Sequence, residues 1–406
     1  MQEKIHAYSY RWVVLFVFAL ISGIIQIQWL TFASVAREAR LFYHVSAFQI
    51  DFLSLIFMGV FLLICIPASY IIDRFGIQIG LGIGAILTGI FGLMKGIFPG
   101  DYTLVVIAQT GLAVAQPFIL NAATKVAVQW FPLIERALAV GIATLAQFLG
   151  IIIVMICTPF MIQTENAGVY DLSSMLMTYG LISCGGAVIL LVFLREKPPT
   201  PPEIIEYTED RGIFNSIKQI FKQPDMRLLF PIFFVGLGIF NAISTCIDQI
   251  CQTKGLTMDQ TGIIGGIMLV GGIIGALILP AFSDKLKRRK AFLCMAMAGA
   301  TPGIIGLTFF NPYPLLLISS FLLGFFLLGG GAPVGFQYCA EVTRPAPEAI
   351  SQGLLLFTGQ VSGILFIVFM NYAGIGKSMV IFILLALINI FLSLGLKESK
   401  VILASR

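Results

Sequence analysis

Apolar segments of about 20 residues recur along nearly the whole chain, and no other feature constrains its fold as tightly. Twelve lie at approximately 12–35, 52–72, 77–98, 104–128, 136–160, 174–194, 228–250, 261–282, 291–310, 314–338, 350–371 and 378–397. At a rise of about 1.5 Å per residue, a helix of that length covers the roughly 30 Å of bilayer hydrocarbon. No water reaches that depth, so each segment must satisfy its own backbone, which selects helices. Composition agrees: 58% hydrophobic and 11% charged residues over 406 positions leave too little polar surface for a water-soluble domain. The first segment is too long, and too closely followed by a second, to read as a cleaved signal. The expected fold is an all-α membrane protein with twelve transmembrane helices in two pseudo-symmetric six-helix bundles.

Charge placement supplies the orientation. The termini and the loops after segments 2, 4, 6, 8 and 10 hold 20 of the 25 Lys and Arg residues, and the other loops hold five. By the positive-inside rule both termini are cytoplasmic. The outward loops are short and contain no Asn-x-Ser/Thr sequon, which suits a multi-pass protein of a bacterial inner membrane. The formal charge of +5 is dispersed and points to no nucleic acid. Seven cysteines sit in or beside the segments with no CxxC pair and no neighbouring histidine, so neither a disulfide frame, a metal site nor a cofactor is expected. The partners expected are the lipid bilayer and a small-molecule substrate, with the chain a monomer. No Ser-His-Asp set or phosphate loop speaks for an enzyme.

A polar stretch from Arg195 to Arg227, with Pro198, Pro199, Pro201 and Pro202, divides the chain into an N-terminal bundle (1–194), a cytoplasmic linker (195–227) and a C-terminal bundle (228–406). Within the linker, Ile213 to Phe221 has the pattern of a short amphipathic helix. The halves echo one another: Asp73-Arg74-Phe75-Gly76 follows segment 2, and Asp284-Lys285-Leu286 follows segment 8. This six-plus-six plan, with an acid-base turn after each second segment, resembles the major facilitator superfamily. The resemblance implies that Asp73, Arg74 and Asp284 gate the cytoplasmic side, the acid capping a facing helix N-terminus.

Within the first segment, Gln26, Gln28 and Trp29 are costly in hydrocarbon unless they meet protein or a wet cavity. Helical spacing puts Gln26 and Trp29 on one face and Gln28, Thr31 and Phe32 on the adjoining one, a polar-aromatic stripe suited to a small solute. Four strings carry a closer resemblance: Gln28-Trp29 with Phe42-Tyr43-His44-Val45 and Gln49-Ile50-Asp51-Phe52; Ala115-Gln116-Pro117-Phe118-Ile119-Leu120; Gly335-Phe336-Gln337-Tyr338-Cys339-Ala340-Glu341; and Gly353-Leu354-Leu355 with Gln360. They resemble the feline leukaemia virus subgroup C receptor family of choline, ethanolamine and haem-associated transporters. That resemblance implies a quaternary ammonium held by Trp29 with Gln116 and Gln360 nearby. The family's second aromatic wall, a tyrosine in segment 7, is replaced here by Asn241, which offers a donor and an acceptor and suits a more polar substrate.

The expectation is a secondary transporter working by alternating access, with Trp29, Gln28, Gln116, Asn241 and Gln360 binding a choline- or ethanolamine-type amine or a polar relative. Asp248 is the candidate proton or cation site, otherwise an ordinarily solvated interface residue, and Glu341 is a gate or helix-end contact. Gly329-Gly330-Gly331-Ala332-Pro333 should bend or thin segment 10. Haem or an iron chelate is the rival cargo, but haem iron wants an axial ligand and the only histidines are His6 and His44. A receptor that keeps the carrier fold without moving solute is the alternative of another class.

Overall fold

The computed structural model describes residues 8–166, 169–200, 213–343 and 348–399. The chain forms two compact units, Met1–Glu206 and Tyr207–Arg406, the division falling inside the polar linker. Each unit contains six helical spans long and apolar enough to cross a membrane.

In the first unit, spans 1 to 6 cover Arg11–Tyr43, Ala47–Phe75, Ile77–Ile97, Tyr102–Trp130, Leu133–Met161 and Ser173–Phe193. Their starts are set by local chemistry. Ser46 and Gln49 form a reciprocal capping box before span 2, and the Asp101 carboxylate accepts from the Thr103 and Leu104 N–H groups at the head of span 4. Span 1 extends past the apolar segment read from the sequence because it is broken. A helix over Arg11–Trp29 ends at Leu30, a 3-10 turn covers Ala33–Val35, and a second helix runs Ala36–Tyr43. Span 4 is interrupted likewise between Leu120 and Ala123. Spans 5 and 6 are joined by a small hairpin, Gln163–Asn166 against Val169–Asp171, that hydropathy gave no sign of.

In the second unit, spans 7 to 12 cover Pro224–Thr245, Met258–Leu286, Arg289–Phe309, Tyr313–Val342, Glu348–Ala373 and Ile375–Gly395. Thr257 and Gln260 form a capping box before span 8, the same device as Ser46 and Gln49 before span 2. Span 7 ends at Thr245 and continues, after Cys246, as a short helix Ile247–Gln252, an echo of the break in span 1. Beyond it the Lys254 ammonium donates to the Thr308 carbonyl at 2.9 Å, closing the end of span 9, and desolvation holds its pKa below the usual lysine value. The expected distortion of span 10 is a π-helical stretch over Gly324–Gly331. The amphipathic helix of the linker is present as Ile213–Lys222. Of the linker prolines, Pro201 and Pro202 lie outside the described residues.

Candidate functional site

The first unit organises its polar interior around the break in span 1. A helix that stops at Trp29 leaves the carbonyls of its last turn without N–H partners four residues on, and inside a bilayer protein something else must bond them. Side chains do so. The Thr31 hydroxyl donates to the carbonyls of Ile27 and Gln28, at 2.9 and 3.2 Å. The Gln109 amide of span 4 donates to those of Gln28 and Leu53, at 3.3 and 3.2 Å. The Ser54 hydroxyl of span 2 donates to the Trp29 carbonyl, and the Trp29 indole N–H returns a bond to the Ser54 carbonyl, both at 3.3 Å. Trp29 is thereby held at both backbone and ring and keeps 8% of its surface exposed.

Around Trp29, one face of span 1 carries an amide cluster. Gln116 of span 4 donates to Gln26 Oε1 at 3.4 Å, and Gln26 donates to Gln147 of span 5 at 3.5 Å. Gln116 thus joins the expected stripe through Gln26, and Gln147 adds an amide the sequence reading did not single out. Gln28 is placed differently. It is fully buried and its amide donates to Ser183 Oγ at 2.7 Å and the Tyr179 carbonyl at 3.1 Å, so it ties span 1 to span 6.

Within the second unit, Asn241 and Gln360 lie together. The Asn241 amide donates to the carbonyl of Gly359, the residue before Gln360, at 3.2 Å, binding span 7 to span 11. Phe240 beside it is packed among Phe233, Leu327 and Met297, in an apolar cleft between spans 7, 9 and 10. Asp248 is wholly buried at the start of the Ile247–Gln252 helix, which corrects the expectation of an ordinarily solvated interface residue.

The residues expected to gate occupy one end of each unit. In the first, Asp73 and Arg74 are exposed; Asp73 lies 3.8 Å from Lys125 Nζ, while Arg74 reaches back to the Tyr70 hydroxyl and over the rings of Tyr70 and Phe75. Lys125 also donates to the Asp73 carbonyl at 2.8 Å, capping span 2 instead of snorkelling free. The N-terminus of span 3 is closed by Glu196, whose carboxylate accepts from the N–H groups of Ile77 and Gln78, at 3.1 and 2.7 Å, and from the Gln129 amide. In the second unit Asp284 and Glu341 converge on one buried guanidinium: Arg289 bonds Glu341 at 3.1 Å and Ser283 Oγ at 3.1 Å and pairs with Asp284, to which Gln337 also donates. Glu398 caps this end of span 9, accepting from the N–H groups of Arg289 and Lys290. Glu196 and Glu398 therefore hold equivalent places, each just past the last span of its unit and at the head of that unit's third span. Both lay hidden in loop sequence because their targets are more than 100 residues away.

A further buried group is Lys95, counted among the five outward basic residues on sequence. It is fully buried, donating to Thr31 Oγ1 at 3.2 Å and Gln109 Oε1 at 3.1 Å, with its ammonium 5.5 Å from the Phe32 ring centroid. Among the described residues no group of three or more His, Cys, Asp and Glu is placed to hold a metal ion. His44 is exposed, at the left-handed end of the Ala36–Tyr43 helix, and His6 lies outside the described residues.

Two six-span helical units with matching caps and matching breaks in their first spans make a twelve-span membrane protein of duplicated architecture, and the family to which it belongs is one of secondary transporters and not of enzymes. The chain belongs to the Major Facilitator Superfamily, whose family model matches residues 11–367. Relatives include an MFS-type transporter of Caenorhabditis elegans, 27% identical over 89% of this chain and 64% of that protein. The choline/ethanolamine transporter FLVCR2 of Rattus norvegicus is 28% identical over 93% of this chain and 72% of its own length. Solute carrier family 49 member A3 of Xenopus tropicalis is 29% identical over 90% and 78%. Among solved structures, a bacterial homologue of the human lysosomal transporter Spinster, inward-facing and unoccupied, superposes with a TM-score of 0.78 at 16% identity over 99% of both chains. A D-xylose-proton symporter gives 0.72 at 16% identity over 97% of this chain and 99% of its own. At that identity both speak to the fold alone.

Proposed function

We propose that this carrier moves a small amine of the choline and ethanolamine type, or a more polar relative. The candidate contacts within the first unit are Trp29 and the Gln26–Gln116–Gln147 amide cluster, and those within the second unit, taken by itself, are Asn241 and Gln360. The observation that carries the reading is the fixed indole of Trp29 three residues from Gln26, with Gln116 bonded to Gln26. An indole face attracts an alkylammonium by roughly 2 kcal/mol when water is excluded. Amide oxygens accept from a hydroxyl or primary amine. Resemblance to the FLVCR2 transporters of rat and human, both at 28% identity, supports the same substrate class. The residues named set the expected selectivity. One aromatic wall with several amides favours a substrate with more hydrogen-bonding groups than choline, whereas two aromatic walls favour the quaternary ammonium. The membrane is a bacterial inner membrane with both termini cytoplasmic, and Asp73, Arg74, Asp284 and Glu341 lock the cytoplasmic side while the carrier is open outward and release it when the carrier opens inward.

The test is thermal stabilisation of the purified protein by choline, ethanolamine, other amines, amino acids and haem, each repeated on Trp29→Ala. A ligand that binds the folded state raises the midpoint by an amount that grows with the logarithm of its concentration over Kd. Choline, ethanolamine or a close amine is expected to stabilise the wild type, with Trp29→Ala abolishing the shift. If haem or an acidic solute alone stabilises, and Trp29→Ala leaves that shift unchanged, the assignment fails.

A further inference from the structure

Lys95 stands out because of what surrounds it. The Thr31 hydroxyl proton is directed at the carbonyls of Ile27 and Gln28, so toward Lys95 the oxygen presents a lone pair. Both amide protons of Gln109 go to the carbonyls of Gln28 and Leu53, so its Oε1 is what faces the lysine. The third neighbour is the Phe32 ring, itself held edge-on by Tyr43. All three present electron density, and all stand at the C-terminal end of the Arg11–Trp29 helix, where the macrodipole places about half a negative charge. The two oxygens that accept from Nζ belong to neutral groups, a hydroxyl and an amide. Broken helices of membrane carriers use such ends, with their freed carbonyls, to hold a small monovalent cation.

We propose that the Lys95 ammonium is a tethered cation closing a monovalent-cation site at the break in span 1. The wild-type first unit therefore takes up no inorganic cation there, and removing the ammonium exposes a site for one. The two oxygens left behind, Thr31 Oγ1 and Gln109 Oε1, are hard neutral donors of the kind that suit Na⁺ more than a large organic cation. The inference does not rest on the substrate assigned above, and its test uses no substrate.

Thermal unfolding of the purified full-length protein is measured in NaCl, KCl and N-methyl-D-glucamine chloride at equal ionic strength. The wild-type midpoint is expected to be the same in all three. Lys95→Ala is expected to unfold at lower temperature in N-methyl-D-glucamine and to recover by about 3 °C or more in NaCl, since a cation bound only by the folded state stabilises it. Lys95→Met fills the space with an apolar chain, so its lowered midpoint is expected to be equal in every salt. A Lys95→Ala midpoint that matches the wild type in N-methyl-D-glucamine, or that is equally low in all three salts, overturns the proposal. So does a wild-type midpoint that rises in NaCl. Should Lys95→Ala not fold in any salt, Gln109→Leu keeps the ammonium and removes one acceptor. Its midpoint is expected to fall equally in all salts, and an unchanged midpoint overturns the proposal.

Discussion

Glu196 shows how much a single residue fixes at the end of a helix. Span 3 starts immediately after Gly76, whose φ of +96° is open to glycine at little penalty, and a Cβ there would run into the Glu196 carboxylate. Glu196→Ala removes two charge-assisted bonds to the first turn and is expected to destabilise by about 1–2 kcal/mol. Gly76→Ala adds backbone strain to the clash and is expected to exceed it. Denaturation of both and of the double variant should show a combined loss smaller than the sum, because deleting the carboxylate relieves the clash but not the strain. The sequence shows the turn, Asp73-Arg74-Phe75-Gly76, and not the acid that closes it. Trp29, Gln116 and Gln360 come forward as expected contacts through family strings, and Asn241 through a departure from the family's pattern. Lys95 was not, since a lysine near the end of an apolar segment reads as one that snorkels to water, and only the fold shows that Thr31 and Gln109 enclose it.

Elements in this protein are defined as much by their interruptions as by their lengths. The twelve spans follow from hydropathy because hydrocarbon leaves the backbone no alternative, and the glycine run of span 10 foretold a distortion. The break after Trp29 is different in kind. Nothing in Leu30-Thr31-Phe32 forbids a helix, and it is the waiting partners Gln109 and Ser54, on other spans, that make its loss tolerable. The π-helical part of span 10 depends on close backbone approach to span 8: a Cβ on Gly329 would meet the backbone of Gly275, and one on Gly324 the Met268 carbonyl. Gly329→Ala is therefore expected to lose about 1–3 kcal/mol in an unfolding titration, since a backbone cannot rotate aside as a side chain can. Gly141→Ala, in span 5 with nothing within 4 Å of the added methyl, is expected to be neutral or to gain up to about 1 kcal/mol by helix propensity.

At the scale of the whole molecule, the alternation of charge predicts sidedness. The exposed Lys285 lies in the last turn of span 8, and the exposed Asn311 joins spans 9 and 10. Cysteines introduced at the two positions and treated in intact cells with a membrane-impermeant maleimide are expected to label at Asn311 alone; labelling at Lys285 alone would invert the topology. The paired caps carry another consequence. Because Glu196 and Glu398 lie beyond Phe193 and Gly395, where the last spans of the two halves end, each repeat as a folding module is longer than its hydrophobic part. A gene fusion, split protein or shuffled chimera cut flush with the membrane segments would sever the module from its own clasp. The seam at which such halves can be exchanged lies a few residues out in the aqueous loop, past the acid.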